Sequence, residues 1–338
     1  MSSLSNLLIP AVLFFALGCI ARLIRSDLKF PPDLAKVLSI YLLMAIGLHG
    51  GYELAKADLV TAIYSIGWAL ILGFGLPIVG YLTLVMTRKV SPLDAAAISA
   101  HYGSVSAGTF LTAIAYLDNI GVTYESYPLI MLAVMESPAI VVGLLLAAKA
   151  RQATANGDVG TSSATTAPDD EDGHRGFSAL LREAFTNGSV VVLIGSMIIG
   201  AISNPSGMEK IKPFIDEIFM GVLCLFLFEM GMVAAKRIGD FKKVGLFLAS
   251  FGIIMPLIGG VIGSIVGYSI LGFSVGGATL VAVLGASASY IAVPPAMRLA
   301  IPEANPSFYL TLSLGITFPF NVVIGIPLYH SFIETVLV

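Results

Sequence analysis

The sequence predicts an all-α polytopic membrane protein with ten transmembrane helices, arranged as two inverted repeats of five helices each. Three observations support this prediction: the apolar composition, the regular succession of apolar stretches, and the similarity between the two halves of the chain. Of the 338 residues, 57% are hydrophobic and 12% are charged, and the mean hydropathy is +0.93. A water-soluble domain of this length does not bury so large an apolar fraction.

Ten stretches are long and apolar enough to cross a bilayer. A helix that crosses a hydrocarbon core of about 30 Å needs about 20 mostly apolar residues. Many of the stretches contain Gly, Ser or Pro, which indicates closely packed or locally broken helices. The predicted spans are 5–22, 33–50, 60–86, 93–117, 127–149, 187–204, 214–235, 243–272, 276–299 and 307–334.

Basic residues are distributed unevenly between the two sides of the predicted membrane. With the N-terminus outside, only Lys56, Lys210 and Lys212 fall on the outer side, and the other 15 of the 18 Lys and Arg residues fall on the inner side. This bias follows the positive-inside rule, so both termini are expected outside a multi-pass protein of the cell (inner) membrane. The first span lacks a basic leader and is not expected to be a cleaved signal peptide.

A polar segment separates the two halves. Residues 152–175 are of low complexity and too polar to form a packed core, which is typical of a flexible cytoplasmic linker. The predicted organisation is therefore a first five-helix repeat over 1–150, a cytoplasmic linker over 151–182 and a second, inverted repeat over 183–338.

The two halves contain three pairs of similar segments in the same order. Since each half has an odd number of spans, the second copy must insert upside down, as in the inverted repeats of many secondary transporters. The paired segments are Leu42–Leu59 with Leu225–Phe241, Gly103–Ser106 with Ala286–Ser289, and Ala139–Gly143 with Asn321–Gly325.

Spans four and nine carry flexible and polar residues at mid-membrane depth. Span four contains the run HYGSVSAGT over His101–Thr109, and span nine contains GASASY over Gly285–Tyr290, followed by Pro294 and Pro295. Proline ends one helical piece and suits the first turn of the next. Each span is therefore predicted to break and to present the N-terminus of a half-helix near the bilayer centre.

The broken spans are expected to bind an anion. A helix N-terminus has unpaired N–H groups and a partial positive charge, so it attracts an anion without Lys or Arg. The hydroxyl groups of Ser104, Ser106, Ser287 and Ser289 add donors and can act as N-caps, and unwound carbonyls offer an oxygen cage for sodium. The alternative is that Ser and Gly here only allow tight helix packing.

Ionisable residues inside a membrane are costly and are functional candidates. Glu136 in span five is the strongest, either as a sodium ligand or as a charge that balances the anion site, with Thr317 and Asn321 in span ten as its neutral counterparts. Glu229 in span seven is weaker, because it can instead face a wet crevice or a subunit contact.

Other classes of site find little support. Cys19 and Cys224 each lie inside a predicted span, so neither a disulfide framework nor a metal cluster is expected. His49 and His101 are interpreted as packing residues rather than proton relays. No HExxH or GxSxG motif is present, so an intramembrane enzyme is not expected.

The residues resemble the SbtA-type sodium-dependent bicarbonate transporters, a family of bacterial permeases. The strongest stretch is Gly272–Leu328, with GFSVGG, SAS and VPPAMRLAIPEANPSFY, and the first half contributes IGLHGG and GSVSAGTF. The resemblance implies a gate part of spans one, two, six and seven and a core part of the remaining spans. It also implies a homotrimer, and a small PII-like cytoplasmic regulator as a partner.

Carried over by motif, the resemblance implies substrate binding at the broken helices, by Gly103, Ser104, Ser106, Thr109, Ser287 and Ser289. Two positions differ from the family pattern. Tyr290 replaces an aspartate and so joins the anion-site candidates, and Glu136 replaces an aspartate before a proline turn. Sodium-site candidates are Glu136, Thr317, Asn321 and Ser106.

The predicted function is secondary active transport, with sodium as the co-transported ion and bicarbonate or a similar small anion as the substrate, by elevator-like movement of the core past the gate. The alternatives are a sodium-coupled transporter of small carboxylates or other organic anions, and a transport-inactive membrane sensor. Membrane lipid is expected around the chain, and no nucleic acid is expected as a partner.

Overall fold

The computed structural model describes residues 9–28, 30–31, 33–157, 188–238 and 241–338, which are mostly helical and contain no β-strand. The helices are α1 Pro10–Leu23, α2 Leu34–Leu54, α3 Leu59–Met86, α4 Pro92–Gly103, α5 Ala107–Ile120, α6 Tyr127–Gly157, α7 Gly188–Ile202, α8 Pro205–Lys212, α9 Phe219–Ile238, α10 Phe241–Ser264, α11 Val275–Ala286, α12 Val293–Ala300 and α13 Pro306–Leu337. A π-helical turn, Pro213–Glu217, joins α8 to α9, another, Ile265–Ile270, extends α10, and α13 contains several π-helical turns.

The helices are those of a polytopic membrane protein. In the described residues, six helical stretches are long and apolar enough to cross a bilayer: α2, α3, most of α6, α8 with α9, α10 with its π-helical turn, and α13. Three shorter apolar helices lie in α1, α7 and α11. Predicted spans four and nine correspond to the pairs α4 with α5 and α11 with α12, each member too short to cross alone.

The first residues of the predicted linker are helical. α6 continues to Gly157 and so includes residues 151–157. The guanidinium group of Arg151 donates two hydrogen bonds to the Glu303 carboxylate, at 2.9 and 2.7 Å, which ties this end of α6 to the loop after α12. The rest of the linker, and the first residues of span one, lie outside the described residues.

Four helices of the first and second halves pair closely. α1 packs along α9 and α2 packs along α7. Glycines allow this approach, because a Cβ atom on Gly18 or Gly231 would overlap the main chain of the opposite helix, and the same holds for Gly51 and Gly200. We call α1, α2, α7, α8 and α9 the small bundle.

The remaining helices form the large bundle, α3 to α6 with α10 to α13. α3, α4 and α6 pack on one another, and α10 packs on α11 and α13 in the same way. Glu125, before α6, accepts hydrogen bonds from the backbone N–H and the hydroxyl group of Ser274 at 2.8 and 3.0 Å. The carboxylate therefore sits at the start of α11, where the helix dipole favours a negative charge.

Several contacts join loops that the prediction places on the same side of the membrane. Arg151 and Glu303 belong to loops or helix ends predicted inside, and so do Asp94 and Asn305, whose carboxylate and N–H group are 2.7 Å apart. Glu125 and Ser274 belong to loops predicted outside.

Candidate functional site

The chain is interrupted in span four between α4 and α5. Ser104 has extended backbone angles, and α5 begins at Ala107 with Ser106 as its N-cap. The Ser106 hydroxyl oxygen accepts hydrogen bonds from the Thr109 N–H at 3.2 Å and from the Thr109 hydroxyl group at 2.9 Å. Ser106 thus caps the second half-helix, as serine commonly does at this position.

A second interruption lies in span nine, over residues 287–292 between α11 and α12. Pro294 and Pro295 occupy the first turn of α12, where a missing N–H group costs nothing. The serines of this segment do not cap α12, whose N-cap is Ala292. Instead the Ser287 hydroxyl group donates to the Leu284 carbonyl at 3.1 Å. The prediction that the span-nine serines act as N-caps was therefore wrong.

The two interruptions are joined by hydrogen bonds. The Ser106 N–H donates to the Ser287 hydroxyl oxygen at 3.0 Å, and the Ser289 N–H donates to the His101 carbonyl at 2.8 Å. All four residues are buried. The broken segments of the two halves therefore meet inside the large bundle.

A small cavity of about 20 Å³ lies at this meeting point. Its polar lining comes from Ser106, Glu136, Ser289 and Tyr290, and its apolar lining includes Leu43 of the small bundle. The Tyr290 hydroxyl group lies near Ser106 without completing a hydrogen bond to it. Four of the predicted site residues are thus brought together, at the boundary between the two bundles.

Other predicted anion-site residues lie around the cavity rather than in its lining. A Cβ atom on Gly103 would overlap the Pro77 ring and lie 3.1 Å from the Ala139 Cβ, so this glycine allows close packing of α4. Thr109 holds Ser106 in place. The Ser104 hydroxyl group is fully buried and finds no hydrogen-bond partner in the described residues.

Thr317 and Asn321 are not among the described residues that line the cavity with Glu136. The Thr317 hydroxyl group donates to the Gly252 carbonyl at 2.7 Å and accepts from the Tyr102 hydroxyl group at 2.7 Å. Its hydrogen-bonding capacity is largely used in joining α13 to α10 and α4.

Asn321 is also bonded within the protein. Its side-chain amide donates to the Ala286 carbonyl at 2.8 Å, and its side-chain oxygen accepts from the Tyr329 hydroxyl group at 2.9 Å. Since Ala286 is the last residue of α11, Asn321 satisfies a carbonyl that the interruption leaves without a helical partner.

The two carboxyl groups that we predicted as candidates inside the membrane, Glu136 and Glu229, lie in α6 and α9. Glu136 lines the cavity and lies two residues before Pro138 on α6. Glu229 on α9 is 6% exposed, and one of its oxygens has no hydrogen-bond partner in the described residues. Among those residues, no group of three or more His, Cys, Asp or Glu side chains is placed to hold a metal ion.

Sequence reasoning missed the His101 carbonyl as the acceptor that ties the two interruptions together. It assigned His101 to packing, and the ring does stack on Tyr309 with centroids 4.5 Å apart. No side-chain pattern signals a main-chain acceptor, since every residue carries one.

A comparison with family models identifies the family of this chain. A model described as the Na+-dependent bicarbonate transporter superfamily matches residues 10–334. The chain belongs to this superfamily. No curated protein matches the chain.

Membership of the Na+-dependent bicarbonate transporter superfamily confirms the family resemblance, and it makes the chain a transport protein rather than an enzyme. The match spans both interrupted segments and every residue that lines the cavity. The superfamily description names sodium and bicarbonate, the two solutes that the family resemblance implied.

Proposed function

We propose that the chain is a sodium-coupled symporter of bicarbonate or a similarly small anion, which binds where the two interrupted spans meet. The cavity between α5, the span-nine interruption and Glu136 carries this proposal. The described residues that line it include hydroxyl groups and no basic side chain. Such a site suits an anion that is held by hydrogen-bond donors rather than by Lys or Arg.

The donors are available for a ligand. The Ser106 oxygen accepts two hydrogen bonds, so its own hydroxyl hydrogen remains free to point into the cavity. The Tyr290 hydroxyl group has no hydrogen-bond partner in the described residues. A buried donor without a partner is costly, so a bound anion that accepts from both groups would recover this free energy.

The size of the cavity favours a small substrate. At about 20 Å³ it holds roughly one water-sized group, so even bicarbonate requires the walls to separate. A larger carboxylate requires a greater separation. The small anion is therefore our first choice over the organic-anion alternative.

Sodium is proposed to bind at Glu136. This carboxylate is the only charged group among the described residues that line the cavity. A sodium ion beside it would neutralise the carboxylate and so remove its repulsion of the neighbouring anion, and Ser106 offers a further oxygen. Thr317 and Asn321, which we predicted as sodium ligands, remain in this proposal only as groups that hold α13 and α11 in place.

The proposed architecture is two inverted five-helix repeats. In such a repeat, spans one and two correspond to spans six and seven, and the observed pairs α1 with α9 and α2 with α7 are related by that correspondence. The small bundle would be the gate and the large bundle the core that moves past it. The homotrimer, the PII-like regulator, the inner-membrane location and the outside termini belong to the same proposal.

The test is uptake of isotope-labelled bicarbonate into proteoliposomes with and without a sodium gradient. A tenfold gradient supplies about 1.4 kcal/mol per ion, enough to accumulate the anion about tenfold. We expect accumulation that stops when choline replaces sodium. Sodium-independent uptake would overturn the symport mechanism.

The same preparation separates the alternatives. Uptake of a small carboxylate but not of bicarbonate would favour the organic-anion transporter. Sodium-dependent stabilisation by bicarbonate in a thermal-shift assay, without any uptake, would favour the transport-inactive sensor.

A further inference from the structure

A larger crevice separates the two bundles on the side that we predict to be outside. Its volume is about 320 Å³. One wall is formed by α2 and the start of α9 in the small bundle, and the other by α5, α6 and α11 in the large bundle. Phe110 lines its inner end, only one helical turn beyond Ser106, the N-cap of α5. The crevice therefore leads from the outer loops to the neighbourhood of the proposed binding site.

The crevice is lined by acidic groups from both bundles. Asp216 comes from the small bundle, and Asp118 and Glu125 come from the large bundle. The outer mouth adds Glu53, which is paired with Lys56 at 2.9 Å. Among the described residues that line the crevice and its mouth, none is Lys or Arg.

Existing contacts neutralise only part of this charge. Glu125 is held by Ser274, and the Tyr124 hydroxyl group donates to Asp118 at 3.1 Å. His49 of α2 lies 3.5 Å from Asp216, but its side chain is 60% exposed. Neither Tyr124 nor Ser274 carries a compensating positive charge, and His49 can balance at most one of the three carboxylates, so the crevice is negative.

An acidic entrance is unexpected for a protein that takes up an anion. Charges of one sign in a cleft with apolar walls focus the field and enrich ions of the opposite sign. Ala45, Ile46, Ile114 and Leu280 provide such walls here. The local sodium concentration is thus raised and the local bicarbonate concentration lowered until a cation has entered.

We propose that this crevice is the external entry path, and that its acidic lining makes binding ordered, with the cation entering before the anion. This inference rests on the proposed symport function. Asp118 and Asp216, which face the crevice from opposite bundles, would set the apparent affinity for external sodium without being ligands at the proposed binding site.

The first experiment tests the path by cysteine labelling. Cys19 and Cys224 are replaced by alanine, and Ile114→Cys is introduced in the crevice. A membrane-impermeant maleimide added outside intact cells should label this variant, and Ser250→Cys, predicted to lie toward the inner side on α10, serves as the control that should remain unlabelled. Labelling of Ile114→Cys only after the cells are permeabilised would overturn the path.

The second experiment tests the order of binding. In proteoliposomes at low ionic strength, Asp118→Asn and Asp216→Asn should each raise the sodium concentration for half-maximal uptake about two- to fourfold. Added choline chloride should shrink this difference, because salt screens it. Glu209→Gln, an exposed outer-side change away from the crevice, is the matched control.

The outcomes separate this inference from the proposed function. Sodium-dependent uptake in which both aspartate variants match the control would overturn the acidic-entry inference and leave symport intact. Lack of uptake by the unmodified protein would overturn symport, whereas the labelling result would still report the path. Initial-rate kinetics in which bicarbonate must bind first would contradict the proposed order.

Discussion

Ser106, at the interruption of span four, has three roles in the structure. Ser106 caps α5 through its hydroxyl oxygen, joins the two halves through its N–H bond to Ser287, and lines the small cavity. Because the cap and the cross-link use the oxygen and the backbone, the hydroxyl hydrogen is left for a ligand. The same residue can therefore serve both the fold and the proposed site.

Ser106→Ala should weaken both stability and substrate binding. Loss of the N-cap costs about 1 kcal/mol, and loss of the free hydroxyl hydrogen removes a donor to the anion. We expect a lower unfolding temperature and a reduced bicarbonate-induced shift, measured by thermal unfolding in detergent with sodium present.

The control is Ser250→Ala, since the Ser250 hydroxyl group donates within its own helix, to the Leu246 carbonyl. Ser289→Ala should reduce the bicarbonate-induced shift without loss of a helix cap. If both Ser106→Ala and Ser289→Ala keep the full shift, the proposed anion site is wrong.

Glu136→Gln should weaken the dependence on sodium. The substitution keeps the shape of the side chain but removes the charge that would attract the cation. Bicarbonate uptake measured across sodium concentrations should show a half-maximal concentration raised by about tenfold or more. Glu217→Gln, an exposed change in the π-helical turn before α9, should leave the curve unchanged. An unaltered sodium dependence in Glu136→Gln would exclude the carboxylate as the sodium site.

At the scale of the helices, the sequence predicted both interruptions because their causes are local. Serine and glycine favour an end to span four, and Pro294 with Pro295 fits only the first turn of a new helix in span nine. The end of α11 is different, because the Ala286 carbonyl is satisfied by Asn321, a residue far along the chain. From the sequence we predicted Asn321 as a sodium ligand, because the sequence does not show which group a neutral polar residue in a span bonds to.

Other features depended on contacts that no local pattern contains. The Glu125 carboxylate meets the start of α11 from 149 residues away in the sequence, and the outer crevice forms only when the two bundles are placed side by side. The bond of Arg151 in α6 to Glu303 likewise joins residues that lie far apart in the sequence. These features require tertiary structure, whereas the spans require only composition and length.

Gly103→Ala tests whether the last residue of α4 is a packing glycine. The new Cβ atom would overlap the Pro77 ring, and overpacking of this kind costs about 1–3 kcal/mol. Thermal unfolding should therefore show a clear loss of stability. Gly75→Ala, in α3 with open space around the added atom, should be neutral or slightly stabilising. Equal stability of the two variants would contradict the close approach of α4 to α3.

Glu125→Ala tests the cap that the first half provides for α11. The substitution removes two hydrogen bonds to Ser274 and the negative charge at the helix start, for a loss of about 1–2 kcal/mol. Thermal unfolding measures the effect, and Glu53→Ala, which removes only an exposed pair with Lys56, should cost less than about 1 kcal/mol. An effect no larger than that of Glu53→Ala would show that the cap is dispensable.

At the scale of the whole molecule, two bundles meet along a boundary that contains both the small cavity and the outer crevice. The small cavity draws residues from both bundles, since Leu43 and Leu193 belong to one and Ser106 and Tyr290 to the other. A relative movement of the bundles would therefore reshape the proposed site directly. This placement supports transport by movement of the core past the gate.

The most direct measurement is an experimental structure of the protein soaked with sodium and bicarbonate, at a resolution that shows ions. We expect spans four and nine to be interrupted as described, with the anion between Ser106 and Ser289 and sodium beside Glu136. Uninterrupted helices in both spans, or an anion bound away from these residues, would contradict the proposed site.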